Sequence, residues 1–456
     1  MTEVEQLATY VHNASYDDLS DAARTQLKHR VLDALGCAIG ALRGEPIRIL
    51  KSLLTDFGES QQCRLIGGGY AAPDRAALFN SALVRYLDFN DSYLAPKETC
   101  HPSDNLGSIL STSEYASRSG KDLMTALALA YQVQCRLSDV APVRDKGFDH
   151  TTQGSYALAA GNSKALDLTV RQTANAIAIS GTALNALRVS RTGALSNWKG
   201  LAYPYTAFGA TQATFLAKKG ITGPLEVFEG NKGFKETIAG PFEIDWSRED
   251  LESVTRTIVK KYNAEIHSQA TLEGILELKG QQEFTGDMVE RIDIETFEVA
   301  YNIIGGGEEG DKQLVRRKEE ADHSLPYLVA VAILDGQVMP AQYEPERIQR
   351  QDVQTLLRKI HIRPNEDYSR RFPQEMPCRI TVILQNGREL VIEKRDYQGF
   401  ITHPLGWDGL VEKFERLSEP FAEASLRNEI IDAVSQLETI RVVDLMKLLA
   451  KVGRDV

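Results

Sequence analysis

The sequence predicts a mainly α protein with a smaller α+β domain set between the two parts of a large helical-bundle domain. Three observations carry this. Apolar residues recur at helical spacing through roughly the first 220 positions. The pattern changes near residue 257 to strand-like alternation with a hairpin signal, then returns to helical spacing after Pro404. At 456 residues the chain also exceeds the usual size of one hydrophobic core. The expected domains are residues 1–264 with 405–456, and an α+β lid over 265–404.

Residues 1–56 read as helices, with Ser20-Asp21 capping a run through Leu27, Val31, Leu35 and Ile39. Gln62 to Ile66 suits a short strand before the turn at Gly67. Pro73-Asp74 opens a helix through Tyr86 that ends at Asp88 and Asp91. Gly120 to Ser138 is apolar nearly all round, as befits a helix at the centre of a bundle. Ala-rich helical patterns follow over about 153–166, 169–187 and 202–219, where small residues permit close approach.

Beyond them, 257–260, 291–299, 378–384 and 389–393 alternate like strands. Asn386-Gly387 between the last two suits a type I′ hairpin turn. Helices over about 267–280, 322–335 and 350–359 intervene. The Gly-rich segment 305–310 lacks the GxGxxG spacing of a dinucleotide fingerprint and reads as a mobile loop.

Composition excludes several classes. A formal charge of −11 without a basic run argues against nucleic acid as a partner. No apolar run reaches the roughly 20 residues of a membrane helix, and Met1 to Gln6 lack the pattern of a signal peptide. The five cysteines, Cys37, Cys63, Cys100, Cys135 and Cys378, form neither a disulfide framework nor a CxxC site and fit a reducing cytoplasm. Nor are the thiolates spaced closely enough for an iron–sulfur cluster.

The chemistry gathers at loops. Asp88 and Asp91 stand three apart, with His101 following in a Pro- and Gly-punctuated loop. They could serve acid–base chemistry, hold a metal, or simply end a helix. His150, in Gly147–Thr152, has similar standing to His101, which as a lone histidine is more often structural. Lys199, between Trp198 and Gly200, could be desolvated with a lowered pKa, or could snorkel. Arg188 and Arg191 could clamp carboxylates, though surface arginines are commoner. Glu265 and His267 share one face of an extended segment at the expected domain junction, where ligands often bind. Ala321 to Tyr327 reads as a capped helix start in which His323 is as often structural as functional.

Together, Tyr86–Tyr93, His101–Gly107, Gly147–His150, Ala264–Gln269 and Ala321–Tyr327 resemble the MmgE/PrpD family along nearly the whole chain. The resemblance implies a helical domain with an inserted α+β lid, a homodimer, and proton transfer beside a carboxylate of a small polycarboxylate with no metal and no cofactor. It places the catalytic groups at Asp88, His101, His150, Lys199 and Tyr301, the tyrosine late in the first lid strand. Lys260 or Lys261 matches a lysine shortly before the junction motif, and these join Asp91, Arg188, Arg191, Glu265 and His267 as substrate-binding candidates. The implied reaction is loss of water from a tricarboxylate such as 2-methylcitrate. Epimerisation or decarboxylation of a related acid, or carboxylate binding without catalysis, are the alternatives. Glu265 stands where the decarboxylases carry a histidine, which weakens that branch.

Overall fold

The computed structural model describes residues 1–58 and 60–453. The chain divides into two compact units, Met1–Ser190 with Gly200–Thr257 and Gly406–Val456, and Arg191–Lys199 with Ile258–Leu405. The molecule is mainly helical with one small α+β unit.

In the first unit, α1 (Glu3–Asn13), α2 (Asp21–Gly40), α3 (Glu45–Asp56) and α4 (Pro73–Tyr86) lead to α5 (Leu106–Tyr115) and α6 (Gly120–Val140). Then come α7 (Thr151–Ala165), α8 (Val170–Ala183) and, from Gly200 onward, α9 (Trp198–Lys218). Their starts follow ordinary capping chemistry. Ser20 accepts from the Ala23 amide, and Ser119 with Asp122 and Thr169 with Gln172 form capping boxes. Helix α6 is buried along nearly its full length, as its apolar sequence requires. The tail helix Trp407–Ser418 packs on α2, close enough that a Cβ on Gly36 would lie 3.2 Å from the Phe414 Cα. Two small ribbons sit between the helices: β1 (Cys63–Arg64) with β2 (Tyr70–Ala71), and β3 (Tyr93–Ala95) with β4 (Glu98–Cys100).

In the second unit, α10 (Gln269–Gln281) and the helix Leu325–Asp335 pack together. They accompany a four-stranded sheet of β5 (Val289–Thr296), β6 (Ile360–Pro364), β7 (Cys378–Leu384) and β8 (Glu389–Lys394). The order is β6-β5-β7-β8, with β5 and β6 parallel and the other pairs antiparallel. Cys378, Ile380, Val382 and Leu384 are buried at every second position of β7, and α10 approaches that face through Gly274. Gly387 has φ 81°, as the Asn-Gly turn between β7 and β8 demands.

Some local expectations differ from the structure. Residues 257–260 form no strand: Ser253–Arg256 is a 3₁₀ turn, and the adjacent Ile258, Val259 and Lys260 are all buried, so period-two burial is absent. The helix expected over 322–335 begins only at Leu325, after a separate short helix Lys318–Ala321, because Ser324 caps it and Pro326 suits only a first turn. Strand β6 lies where no strand was expected, since its alternation covers only five residues. The Gly-rich segment is tied back, Gly307 and Glu309 donating to the carbonyls of Tyr301 and Asn302. Among the described residues, no helix is long and apolar enough to cross a membrane.

Candidate active site

Helix α4 stops at Tyr86, and two residues later Asp88 adopts φ +55°, a left-handed conformation that costs a non-glycine residue about 1–3 kcal/mol. The buried Arg85 guanidinium holds it there, 2.6 Å from the Asp88 carboxylate, and lies 3.5 Å from Asp104. Lys413 of the tail helix donates to the Phe89 carbonyl at 2.7 Å while pairing with Asp33 at 2.6 Å. The aspartate loop is thus held from α2 and from the tail.

Asp91 is fully buried and both its oxygens are engaged. One accepts from the Ser103 amide and hydroxyl at 3.0 and 2.7 Å, the other from the Tyr131 hydroxyl at 2.7 Å. Burial raises its pKa, against the opposing influence of Arg30 and these donors. Its geometry is that of a brace for the segment carrying His101.

His101 Nδ1 lies 2.8 Å from the Asp91 carbonyl and 3.1 Å from the Ser92 hydroxyl. A carbonyl only accepts, so the partners assign the proton to Nδ1. In the neutral form of such a ring the lone pair lies on Nε2. His150 is held differently. Its Nδ1 is 3.0 Å from the carboxylate of Asp149, which stabilises a protonated ring. Asp149 is fully buried and also accepts from the Thr151 amide and the Ser190 hydroxyl. The two imidazoles meet edge to face at 5.4 Å, and Tyr203 stacks on His150 at 6.1 Å. Arg188, half-buried, donates its amide to Gly147, and its charge acts on the buried Glu98.

The second unit collects ammonium groups. Lys199 is buried, with Nζ 2.8 Å from Asp322 Oδ1 and 2.9 Å from His323 Nδ1. Lys318 reaches the other Asp322 oxygen at 2.7 Å. Burial opposes ionisation of Asp322, but Lys199, Lys318 and His323 prevail and hold its pKa far below the usual carboxylate range. Glu265 and His267 sit on a 3₁₀ turn, not the extended segment the sequence suggested, since Glu265 caps the turn by accepting from the His267 amide at 2.7 Å. The turn brings His267 Nδ1 within 2.6 Å of Glu265, whose pKa is lowered against burial by His267, His323 and Lys260. Of the two neighbouring lysines, Lys260 is fully buried, whereas Lys261 is one-third exposed and pairs with Glu273 at 3.0 Å. Arg191 is buried in this unit. Tyr301 is half-buried and lies past β5, in a wide turn over Tyr301–Gly305, because β5 ends at Thr296.

The structure therefore gathers Asp88, Asp91, His101 and His150 in the first unit, and Lys199, Lys260, Glu265 and His267 in the second. Sequence reasoning passed over Asp149, Asp322, Arg85 and Lys318. For the first two a signal existed: an acid directly precedes the histidine in Asp149-His150 and Asp322-His323, as Glu265 does by two positions before His267. Arg85 and Lys318 carry no such local mark.

Residues 5–247 match the MmgE/PrpD N-terminal domain, and residues 262–439 match the MmgE/PrpD C-terminal domain. A 2-methylcitrate dehydratase of Salmonella typhi is 28% identical, covering 78% of this chain and 76% of its own length. A probable 2-methylcitrate dehydratase of Saccharomyces cerevisiae is 26% identical over 95% of this chain and 88% of its own. An alkylcitrate dehydratase of a fungal species is 27% identical over 99% of this chain and 94% of its own.

Proposed function

The chain belongs to the MmgE/PrpD family as a 2-methylcitrate dehydratase-like hydro-lyase, and from that premise we propose that it removes water from 2-methylcitrate to give 2-methyl-cis-aconitate. The observation that carries this reading is the pair of imidazoles with ring centroids 5.4 Å apart, one hydrogen-bonded to a carbonyl and the other 3.0 Å from a carboxylate. Such a pair supplies a base and an acid at the same working pH.

In this mechanism His101 Nε2 takes the Cα proton, and the electrons of that C–H bond form the double bond. The C–O bond breaks as His150, supported by Asp149, protonates the departing hydroxyl, and water leaves. Charge grows on the carboxylate beside the carbanionic carbon, so cations bound to it lower the barrier. Lys199, Lys260 and Arg191 are assigned to the substrate carboxylates. Side chains supply every proton and every counter-charge in this scheme, which is accordingly metal-independent. The protein is proposed to act as a homodimer in a reducing cytoplasm, in keeping with five buried cysteines that form no disulfide among the described residues.

The test is product analysis on 2-methylcitrate, citrate and iminodisuccinate. Formation of an unsaturated tricarboxylate, followed by its ultraviolet absorbance and surviving dialysis against a chelator, is the expected result. An epimer or released carbon dioxide as the only product would overturn the hydro-lyase reading. Activity that disappears with chelation and returns with added metal would overturn the metal-free scheme.

A further inference from the structure

We propose that Tyr203 is a positioning residue that sets both imidazoles at once, its ring against His150 and its hydroxyl through the turn behind His101; this rests on the acid–base reading above. Tyr203 lies in α9 and is fully buried, as are Asn105 and Gln134. All of these residues belong to the first unit.

The ring stacks on the His150 imidazole with centroids 6.1 Å apart and the two planes 25° from parallel. Room for it exists because residue 154, one turn into α7 past His150, is glycine. A Cβ at Gly154 would stand 2.5 Å from Tyr203 Cε2 and 2.7 Å from its hydroxyl oxygen. Leu158, Ala207 and Ala210 join Tyr203 in one buried apolar cluster. A ring packed in this way has little freedom to follow a shifted imidazole.

The hydroxyl reaches the other histidine by way of Asn105, which ends the 3₁₀ turn Pro102–Asn105 directly after His101. The Pro102 carbonyl can only accept, so the Asn105 atom 2.8 Å from it is the amide nitrogen. That nitrogen also donates to Gln134 Oε1 at 2.8 Å. Asn105 Oδ1 is left as an acceptor, and the Tyr203 hydroxyl donates to it at 2.9 Å, with Gln134 Oε1 3.1 Å away. One carbonyl thus fixes the direction of every bond in the chain. Burial, and then the nearby Asp104, push the Tyr203 pKa far up, so the hydroxyl keeps the proton it donates. Without that proton Asn105 would hold a buried acceptor with its donor removed, and the turn would shift to relieve it.

One side chain on α9 therefore backs the His150 ring and steadies the turn that carries His101, whose centroid is 5.4 Å from that of His150. A base and an acid that work on neighbouring atoms of one substrate depend on that spacing, and a misplacement of about 1 Å can cost about 10²-fold in rate.

The experiment is steady-state kinetics of the full chain on 2-methylcitrate. Tyr203→Phe keeps the ring and cuts the hydroxyl link, and should lower kcat about tenfold with KM within about twofold. Tyr203→Leu removes both links and should lower kcat about 100-fold. If the leucine variant fails to fold, Gly154→Ala takes its place, since it drives the ring off His150 without removing it. Tyr203→Phe is then added to His101→Ala. Residual kcat should stay within about twofold of His101→Ala alone, because the group through which the hydroxyl acts is already gone. A larger loss there marks a general packing role and overturns the proposal. So does Tyr203→Phe with kcat within twofold of the unaltered protein, with or without a raised KM, or a leucine variant no slower than the phenylalanine one. If the unaltered protein dehydrates no tricarboxylate, the acid–base reading falls and takes this proposal with it. If it does so and the Tyr203 variants match it, only the assignment of Tyr203 falls.

Discussion

The two units handle buried charge in opposite ways. In the first, His101 and His150 lie side by side but are given different partners, a carbonyl for one and a carboxylate for the other. Their Nδ1 atoms thereby face groups of different charge. In the second, Lys199 and Lys318 are locked onto the two oxygens of Asp322. Those charges are fixed, which suits groups that hold an anion. An acid next to a histidine in sequence therefore has no single meaning. Asp149 tunes one imidazole, whereas Asp322 is shared among His323 and two ammonium groups.

Replacing His101 with alanine should lower kcat by about 10²–10⁴-fold with little change in KM, because a general base acts only in the chemical step. Steady-state kinetics on 2-methylcitrate checks this, and a merely raised KM would move His101 into the binding group. Asp322→Asn should cost about 3–5 kcal/mol of stability at neutral pH, since it strands buried cations. Denaturant unfolding would measure it, and a loss below 1 kcal/mol would mean that the cluster is not load-sensitive. Lys260→Met should raise KM by about 10–100-fold, the worth of a charge-assisted hydrogen bond, and leave kcat less affected.

The smallest effects lie in the pH dependence and still separate the units. His29, against Trp407 in the first unit, has its pKa pushed down to about 4 by burial and then by Arg30. The unfolded chain takes up that proton near the ordinary value of about 6.5, so stability falls as pH drops from there toward 4. Asp322 has a depressed pKa, so its contribution is complete above the unfolded value of about 3.9 and is lost only as pH falls below it. His29→Gln should flatten the decline between about pH 6.5 and 4, and Asp322→Asn should leave that decline in place. Melting temperature against pH for both variants is the measurement, and equal slopes would erase the distinction.

The sequence by itself determined what short-range physics controls. Helical spacing and the Ser20 cap located α2, the apolar run located α6, and Asn386-Gly387 located the hairpin of β7 and β8. The clustering of acids and histidines at loops drew attention to Asp88, His101 and His150 for the same reason, since turn chemistry is written locally. Where alternation was brief or burial came from more than one side, local reading failed, as at residues 257–260 and at β6. Only the tertiary structure decided which charges meet. Lys199 and Asp322 are 123 positions apart, and Lys413 reaches Phe89 from 324 away. It also separated buried Lys260 from Lys261, and brought Ser103 and Tyr131 to the two oxygens of Asp91. The reason is that a charge is defined by what surrounds it after folding. Burial makes pairing compulsory, and the partners that satisfy it are brought together by the packing of distant helices, which leaves no periodic mark in the chain.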